Sequence, residues 1–127
     1  MNTFIDEKVS VLIVDDHKIV RDALSHALSN FQDIEIIGTA ENGKIAIEKA
    51  KKHKPDIILI DIQMPELDGI SASKIISREL PDIKIVLLTL YQELILEAEG
   101  EVPDAAGYVL KEAGTKRIYQ AIRKALK

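Results

Sequence analysis

Acidic side chains follow apolar runs at two places in this 127-residue sequence, in a pattern that could support phosphoryl chemistry. Asp15 and Asp16 follow one run, and Asp61 follows another. Carboxylates that converge in a partly desolvated site repel each other by several kcal/mol, so a cation must offset them. Because the chain has no cysteine and offers mainly oxygen ligands, Mg2+ is the favoured ion. A carboxylate held beside Mg2+ can attack a phosphoryl group, as in aspartyl-phosphate chemistry.

Two further polar side chains end apolar runs later in the sequence. The Thr89 hydroxyl could donate a hydrogen bond to a phosphoryl oxygen, and Lys111 could pair with another. Taken singly these residues are ordinary, because an acid pair often caps a helix, threonine favours strands and lysine is usually solvated. Their joint placement at the ends of successive apolar runs is what indicates a shared site.

The elements that must position these residues are apolar runs of strand length that alternate with stretches of helical periodicity. This alternation is typical of a parallel sheet covered by helices. The predicted strands are residues 9–14, 34–39, 57–60, 83–88 and 108–110. Their nearly continuous apolar character indicates burial of both faces. Functional groups of such sheets gather beyond the carboxyl ends of the strands, where the polar residues lie.

Helical periodicity is clearest in the first and last predicted helices. Apolar residues recur at helical spacing at Ile19, Val20, Ala23, Leu24, Ala27 and Leu28, and again at Ile118, Ala121, Ile122, Ala125 and Leu126. Asn42-Gly43 and Asp68-Gly69 predict helix starts before residues 44–53 and 70–79. The fourth helix, near residues 92–99, has the weakest signal, because Gly100 and Pro103 are predicted to end it early.

Composition excludes several classes of protein. The absence of cysteine excludes a disulfide scaffold and a thiolate metal site. No apolar run approaches the roughly 18 residues that a membrane span requires. The polar segment 1–8 has no apolar core of a signal peptide, which predicts a cytoplasmic location without membrane contact. A net charge of -4 argues against nucleic-acid binding through a basic surface of this chain.

The charges are distributed unevenly towards the C-terminus. Between Thr89 and Leu110 every charged residue is acidic, whereas the tail from Lys111 is mostly basic. The two segments are either two solvated faces or the halves of a charge-complementary dimer or docking surface. The second alternative predicts that association weakens as salt rises.

Four segments resemble the receiver domain of two-component response regulators. They are Val11-Leu-Ile-Val-Asp-Asp-His17, Pro55-Asp-Ile-Ile-Leu-Ile-Asp-Ile-Gln-Met-Pro-Glu-Leu-Asp-Gly69, Val86-Leu-Leu-Thr89 and Gly107-Tyr-Val-Leu-Lys111. Asp-Asp-His followed by Val20-Arg21 is similar to the NarL/FixJ (LuxR-type) subfamily in particular. The resemblance covers nearly the whole chain. It implies one α/β receiver domain over residues 1–127, with a flavodoxin-like (βα)5 three-layer sandwich and a parallel sheet of order 2-1-3-4-5.

The resemblance also implies a role for each matching acid and its neighbours. Asp61 matches the phosphoacceptor. Asp15, Asp16, Asp61 and the backbone carbonyl of Gln63 match the ligands of Mg2+. His17 adjoins the acid pair, but we expect it to face solvent at the start of the first helix, because Mg2+ prefers oxygen ligands.

The remaining matches concern the switch that follows phosphorylation. Thr89 and Lys111 match the switch hydroxyl and the lysine that pairs with the phosphate, and Tyr108 matches an aromatic whose rotamer follows the phosphorylation state. Gln63 and Tyr91 occupy positions that tune how fast the phosphoryl group is lost. The run 102–106 departs from the family pattern, and its Pro103 predicts a short or mobile fourth helix followed by a longer loop.

By this resemblance the chain is a signalling switch that assists its own phosphorylation and dephosphorylation, rather than an enzyme acting on other substrates. A sensor histidine kinase would donate the phosphoryl group, and the phosphorylated form would dimerise. Relatives usually carry a helix-turn-helix output domain through which they bind DNA and control transcription. This chain ends at Lys127, so either such a domain is absent from it or it is a stand-alone receiver or phosphorelay intermediate. The sequence does not decide between these.

Two other function classes fit parts of the pattern. A metal-dependent phosphatase or phosphotransferase would require a second acid near its nucleophile, and position 63 is a glutamine. A nucleotide- or flavin-binding module would require a glycine-rich loop after the first strand, and the run Asp15-Asp16-His17-Lys18 contains no glycine. Both classes therefore fit less well than the receiver.

Overall fold

The computed structural model describes residues 8–127, which form five strands that alternate with five helices. The N-terminal segment used to predict location therefore lies, except for Lys8, outside the described residues. The strands are β1 (Val9–Val14), β2 (Ile34–Ala40), β3 (Ile57–Asp61), β4 (Lys84–Thr89) and β5 (Gly107–Leu110). The helices are α1 (Lys18–Ser29), α2 (Gly43–His53), α3 (Gly69–Glu79), α4 (Gln92–Glu101) and α5 (Thr115–Ala125). All five strands lie within one residue of their predicted bounds.

The strands form one parallel sheet in the order β2-β1-β3-β4-β5, which confirms the predicted topology. The chain moves outward from β1 to β2 and then crosses to β3 on the other side of β1. The carboxyl ends of β1 and β3 thus flank the point where successive connections diverge, which is where open α/β sheets bind ligands. Val14 pairs with Ile60, so the acids that follow them lie at adjacent strand ends.

Apolar side chains fill both faces of the sheet. On one face Leu12 and Ile60 pack in a core with the helices α2, α3 and α4. On the other face Ile13 and Leu59 pack in a core with α1 and α5. Successive residues of a strand point to opposite faces, so burial of both faces requires an unbroken apolar run. This is the physical reason that the runs in β1, β3 and β4 lack polar alternation.

Helix α1 buries a narrower stripe than its sequence predicts. Leu28 is fully buried and Leu24 packs beside it, but Ile19 is 84% exposed and Ala23 is also exposed. The apolar residues of α1 are spread over more of the helix surface than the single face that packs against the sheet. The five helices are short, and within residues 8–127 none is long and apolar enough to cross a membrane.

Helix α4 is longer than predicted. It runs through Gly100 to Glu101, so the prediction that glycine ends it early is wrong. One glycine in a helix interior costs only about 1 kcal/mol, and the last turn is held by buried Ala98 and by an ion pair between Glu101 and Lys74 of α3. The helix instead ends before Pro103, which disfavours helical geometry in the residue preceding it.

Candidate functional site

The predicted acids, the threonine and the lysine of the site lie at the carboxyl edge of the sheet. Asp15 follows β1, Asp61 ends β3, Thr89 ends β4 and Lys111 follows β5. Asp61 pairs in register with Leu88, so Thr89 is one residue further along the neighbouring strand. The parallel register therefore gathers residues that are up to 96 positions apart in the chain.

Lys111 forms the centre of the charged cluster. Its Nζ atom lies 2.6 Å from Asp15 Oδ2 and 3.4 Å from Asp61 Oδ1. The side chain of Asp15 is only 1% exposed, that of Asp61 7% and that of Lys111 15%. One ammonium group thus faces two buried carboxylates, and a negative charge is left uncompensated when both are ionised.

The acidity of Asp61 reflects this imbalance. Burial raises the pKa of its carboxyl group from 3.8 to about 6, the Lys111 ammonium opposes the rise, and the Asp15 carboxylate adds to it. The Gln63 backbone N–H, which donates to Asp61 Oδ1 over 3.3 Å, lowers the pKa slightly. The site therefore favours an additional positive charge beside Asp61.

The turn after β1 fixes the acid pair. Asp15 Oδ1 accepts a hydrogen bond of 2.9 Å from the His17 backbone N–H, and the Asp15 carbonyl accepts one of 2.8 Å from Arg21 Nη1. Arg21 thereby anchors the end of β1 to α1, a role that its place in the sequence motif does not predict.

The second acid of the pair offers a metal ligand. Asp16 Oδ1 is buried and has no hydrogen-bond partner among the described residues. Asp15, Asp16 and His17 can each offer one ligand atom, and these three atoms lie within 4.8 Å of one another. Because a buried carboxylate oxygen without a donor is costly, the cluster is well suited to bind a metal ion.

Gly69 holds the loop that follows Asp61 against the end of β3. Its N–H donates to the Ile62 carbonyl over 2.9 Å, and a Cβ atom at this position would lie 2.0 Å from the Asp61 carbonyl oxygen. Asp68 caps α3 as predicted, accepting from the Ser71 N–H over 2.8 Å. In the sequence Asp68-Gly69 indicates only a helix start, and no sequence pattern predicts this close approach.

A cleft of about 630 Å³ opens above the charged cluster. Asp16, Asp61, Gln63, Tyr91 and Lys111 all line it, whereas Asp15 and Thr89 lie buried outside its lining. The Thr89 hydroxyl oxygen accepts a hydrogen bond of 3.2 Å from the Tyr91 N–H, which ties the β4 end to the start of α4.

Tyr108 is not brought to this cleft. It lies on β5, beside a second groove that Arg117 and Lys124 also line. Its hydroxyl donates a hydrogen bond of 2.6 Å to the carbonyl of Val102, the residue that ends α4. Burial, together with the nearby acids Glu99 and Asp104, raises the pKa of this hydroxyl above its usual value of 10, so it remains a proton donor at neutral pH.

We expect Tyr108→Phe to lower the free energy of unfolding by about 1 kcal/mol, because it removes one hydrogen bond to a helix-ending carbonyl. Denaturant unfolding of the two proteins would measure the change. Tyr91→Phe is the matched control, since Tyr91 is 48% exposed and its replacement should leave stability within about 0.5 kcal/mol. Equal effects of the two substitutions would contradict a stabilising role for the Tyr108 bond.

Residues 11–123 match the family model described as the response regulator receiver domain. The chain is 42% identical over 121 residues to the response regulator protein VraR of Staphylococcus saprophyticus, covering 91% of this chain and 56% of that protein. It is 39% identical over 114 residues to the transcriptional regulatory protein LnrK of Bacillus subtilis, covering 90% and 52%. The chain thus spans about half the length of these relatives.

Solved structures show the same fold. The response regulator domain of Thermotoga maritima CheB superposes with a TM-score of 0.83 at 30% identity, covering 94% of this chain and 96% of that one. A DNA-binding response regulator of the LuxR family from Staphylococcus aureus superposes with a TM-score of 0.86 at 26% identity, covering 94% and 99%.

Proposed function

The chain belongs to the family of response regulator receiver domains, the phosphoacceptor switches of two-component signalling, and from this premise we propose that Asp61 is its acceptor residue. The placement of Asp61 carries the proposal. It is a buried carboxylate at the end of a central strand, it lines the cleft, and Lys111 lies 3.4 Å from its Oδ1 atom.

The proposed reaction transfers a phosphoryl group from a phosphohistidine of a sensor kinase. A carboxylate oxygen of Asp61 attacks the phosphorus, and the new O–P bond forms as the P–N bond breaks. The electron pair of that bond leaves with the imidazole nitrogen, which then takes up a proton. Lys111 would pair with one phosphoryl oxygen, and the Thr89 hydroxyl would donate to another.

We assign the metal of this site to Mg2+, which Asp15, Asp16, Asp61 and the backbone carbonyl of Gln63 would hold. When bound, the ion neutralises charge on the transferring oxygens. The unpartnered Asp16 Oδ1 atom and the uncompensated charge at Asp61 support this assignment. An oxygen-rich ligand set that leaves room for water is what Mg2+ requires.

The conformational response would pass from Thr89 to Tyr108. Movement of the Thr89 hydroxyl towards the phosphoryl group vacates space, and Tyr108 can then swing inward at the expense of its bond to Val102. Couplings of this kind are commonly worth about 1–3 kcal/mol. Gln63 and Tyr91, which line the cleft, would set how readily water reaches the acyl phosphate.

Intact-mass measurement after incubation with Mg2+ and acetyl phosphate tests the acceptor. We expect one phosphoryl adduct on the wild-type protein, and none after chelation of the metal or in Asp61→Asn. Asp82→Asn, which changes an exposed acid that lines a separate groove, should retain the adduct. An adduct that persists in Asp61→Asn, or its absence from folded wild-type protein that binds Mg2+, would contradict the proposal.

The output of the switch is proposed from the relatives. One is named a transcriptional regulatory protein and a structural neighbour is a DNA-binding response regulator. We therefore propose transcription control, with DNA contacted through a separate output domain rather than through this chain. A stand-alone receiver or phosphorelay intermediate is the alternative, and the receiver chemistry at Asp61 is the same in both.

Dimerisation of the phosphorylated form is expected to depend on salt. Helix α4 carries acidic residues, and the basic residues Arg117 and Lys124 of α5 border the groove beside Tyr108. If these charges meet across a dimer, association should weaken as ionic strength rises from 0.05 to about 0.5 M, because the screening length shortens. Sedimentation of phosphorylated protein, with Asp61→Asn as the monomeric control, would measure this. Salt-independent association would contradict the charge-paired interface.

A further inference from the structure

The start of helix α2 packs closely against the loop that follows β3, here called the acceptor loop (residues 62–68). Gly43, the first residue of α2, is buried, and a Cβ atom at this position would lie 2.5 Å from the Leu67 carbonyl oxygen and 3.1 Å from Ala72 Cβ. Glycine alone lacks a Cβ atom, so it permits this approach of two backbones. Since the nearest atom belongs to the backbone of the acceptor loop, a larger residue at position 43 would displace the loop.

Asn42 contacts the acceptor loop at the residue beside Leu67. Its Oδ1 atom accepts a hydrogen bond of 2.9 Å from the Ile45 N–H and caps α2, while its Nδ2 atom donates a long hydrogen bond of 3.5 Å to Glu66 Oε2. Glu66 has a φ angle of 64°, in the left-handed region that residues with a Cβ atom rarely adopt. Such a conformation persists only where its surroundings hold it in place, and Asn42 is part of those surroundings.

The acceptor loop begins beside the carboxylate that accepts the phosphoryl group. The Gln63 N–H donates to Asp61 Oδ1 over 3.3 Å, and the Gln63 carbonyl is one of the proposed Mg2+ ligands. Beyond Gln63 the chain has little freedom, because Met64 is buried and the ring of Pro65 fixes its φ angle. A displacement of the far half of the acceptor loop would therefore reach Gln63.

We propose that Asn42 and Gly43 are positioning residues of the phosphoacceptor site, which fix the backbone of Gln63 through the acceptor loop. The proposal rests on the proposed function, because it gives these residues an effect on Mg2+ binding and on phosphorylation of Asp61. Both lie outside the lining of the cleft, so they act on the reaction only through the loop. The turn between β2 and α2 thus has a second role besides starting the helix.

Alanine substitutions at two glycines test this role by Mg2+ titration and by the rate of acetyl phosphate adduct formation. We expect Gly43→Ala to weaken Mg2+ binding about 10-fold and to slow adduct formation about 10-fold or more, because displaced supporting groups have effects of this size. Gly38→Ala is the matched control on the preceding strand, where a Cβ atom would lie 3.6 Å from Leu12 Cδ1, an ordinary contact distance. It should bind Mg2+ and react as the wild type does.

Asn42→Asp tests the loop contact without removing the helix cap, and it does not depend on whether Gly43→Ala folds. Aspartate caps helices as well as asparagine does, but its carboxylate would face that of Glu66 and repel it. We expect phosphorylation at saturating Mg2+ to slow about 3-fold at low ionic strength, and the difference to fade at about 0.5 M salt. In Asn42→Asp/Glu66→Gln a side-chain amide again faces a carboxylate, so this double variant should recover the wild-type rate.

Amide resonances of the metal-free protein report the position of Gln63 directly. The Gln63 N–H resonance should shift in Gly43→Ala and in Asn42→Asp, and stay in place in Gly38→Ala and in the double variant. An unshifted Gln63 resonance, or a wild-type reaction rate in both Gly43→Ala and Asn42→Asp, would overturn the proposal. These resonances require neither metal nor phosphoryl donor. A wild-type protein that forms no adduct, while Gln63 shifts in the two variants, would therefore contradict the assignment of Asp61 alone and still support the role of the loop contacts.

Discussion

Asp61→Asn is expected to raise the free energy of unfolding of the metal-free protein by about 2 kcal/mol at neutral pH. Burial raises the pKa of Asp61 from 3.8 to about 6, so its ionised form is less stable in the folded protein than in the unfolded chain. Because a tenfold change in proton affinity corresponds to about 1.4 kcal/mol, the charge costs the fold up to about 3 kcal/mol. An asparagine amide avoids this cost because it cannot ionise. Since it does not reproduce every contact of the carboxyl group, the expected gain in stability is smaller than the full cost of the charge.

The raised pKa of Asp61 also makes the stability of the wild-type protein depend on pH. Between about pH 4 and pH 6 the unfolded chain has already released the proton that folded Asp61 retains, so wild-type stability falls as pH rises through this window. The destabilisation caused by ionised Asp61 is absent below about pH 4 and complete above about pH 6. The stability difference between Asp61→Asn and wild type should therefore grow across the window and then stay constant.

Chelator-treated proteins unfolded by urea at a series of pH values provide the measurement. Asp82→Asn, at an exposed acid, serves as the control and should change stability by less than about 0.5 kcal/mol. Mg2+ at 100-fold above its dissociation constant stabilises a folded protein by about 2.7 kcal/mol, and this gain should be smaller in Asp61→Asn. An Asp61→Asn protein that is no more stable than wild type at neutral pH would contradict a buried, uncompensated charge.

Much of the fold, and the acids at the carboxyl edge of the sheet, can be predicted from the sequence because both depend on the local pattern of apolar and polar residues. Continuous apolar runs identify strands buried on two faces, and the residue that ends each run is fixed once the strand is placed. Asp61 and Thr89 can each be assigned to a strand end in this way, and the register of β3 and β4 confirms that placement. Strand order followed from the family resemblance rather than from the runs themselves.

The features that sequence analysis missed depend on contacts between distant residues. The exposure of Ile19 depends on how α1 packs against the sheet. The last turn of α4, which includes Gly100, contacts the rest of the fold through buried Ala98 and the Lys74–Glu101 ion pair with α3. His17 is exposed as expected, but its ring turns towards the acid pair, a rotamer that no sequence period encodes. The sequence shows the Asp68-Gly69 motif, but it does not predict that the N-terminus of α3 approaches the backbone of β3 at Gly69.

Gly69→Ala is expected to lower the free energy of unfolding by about 3 kcal/mol and to slow phosphorylation of Asp61. A methyl group at this position would lie 2.0 Å from the Asp61 carbonyl oxygen, 2.8 Å from its carbonyl carbon and 2.9 Å from Ile62 Cα. All three atoms belong to the backbone, so no flexible side chain can move aside. The loop must shift instead, and it carries the strand end that holds the Asp61 carboxylate.

The rate of adduct formation separates this displacement from simple loss of stability. A reacting group misplaced by about 1 Å can lose about 100-fold in rate, so Gly69→Ala protein that is still folded at low temperature should react slowly with acetyl phosphate. Gly100→Ala is the control, because a methyl group there would have no atom of residues 8–127 outside its own helix within 4 Å, and it should stabilise α4 by up to about 1 kcal/mol. The two substitutions are chemically identical, so their opposite effects on the free energy of unfolding would come from their surroundings. A Gly69→Ala protein with wild-type stability and reaction rate would show that the close approach does not position Asp61.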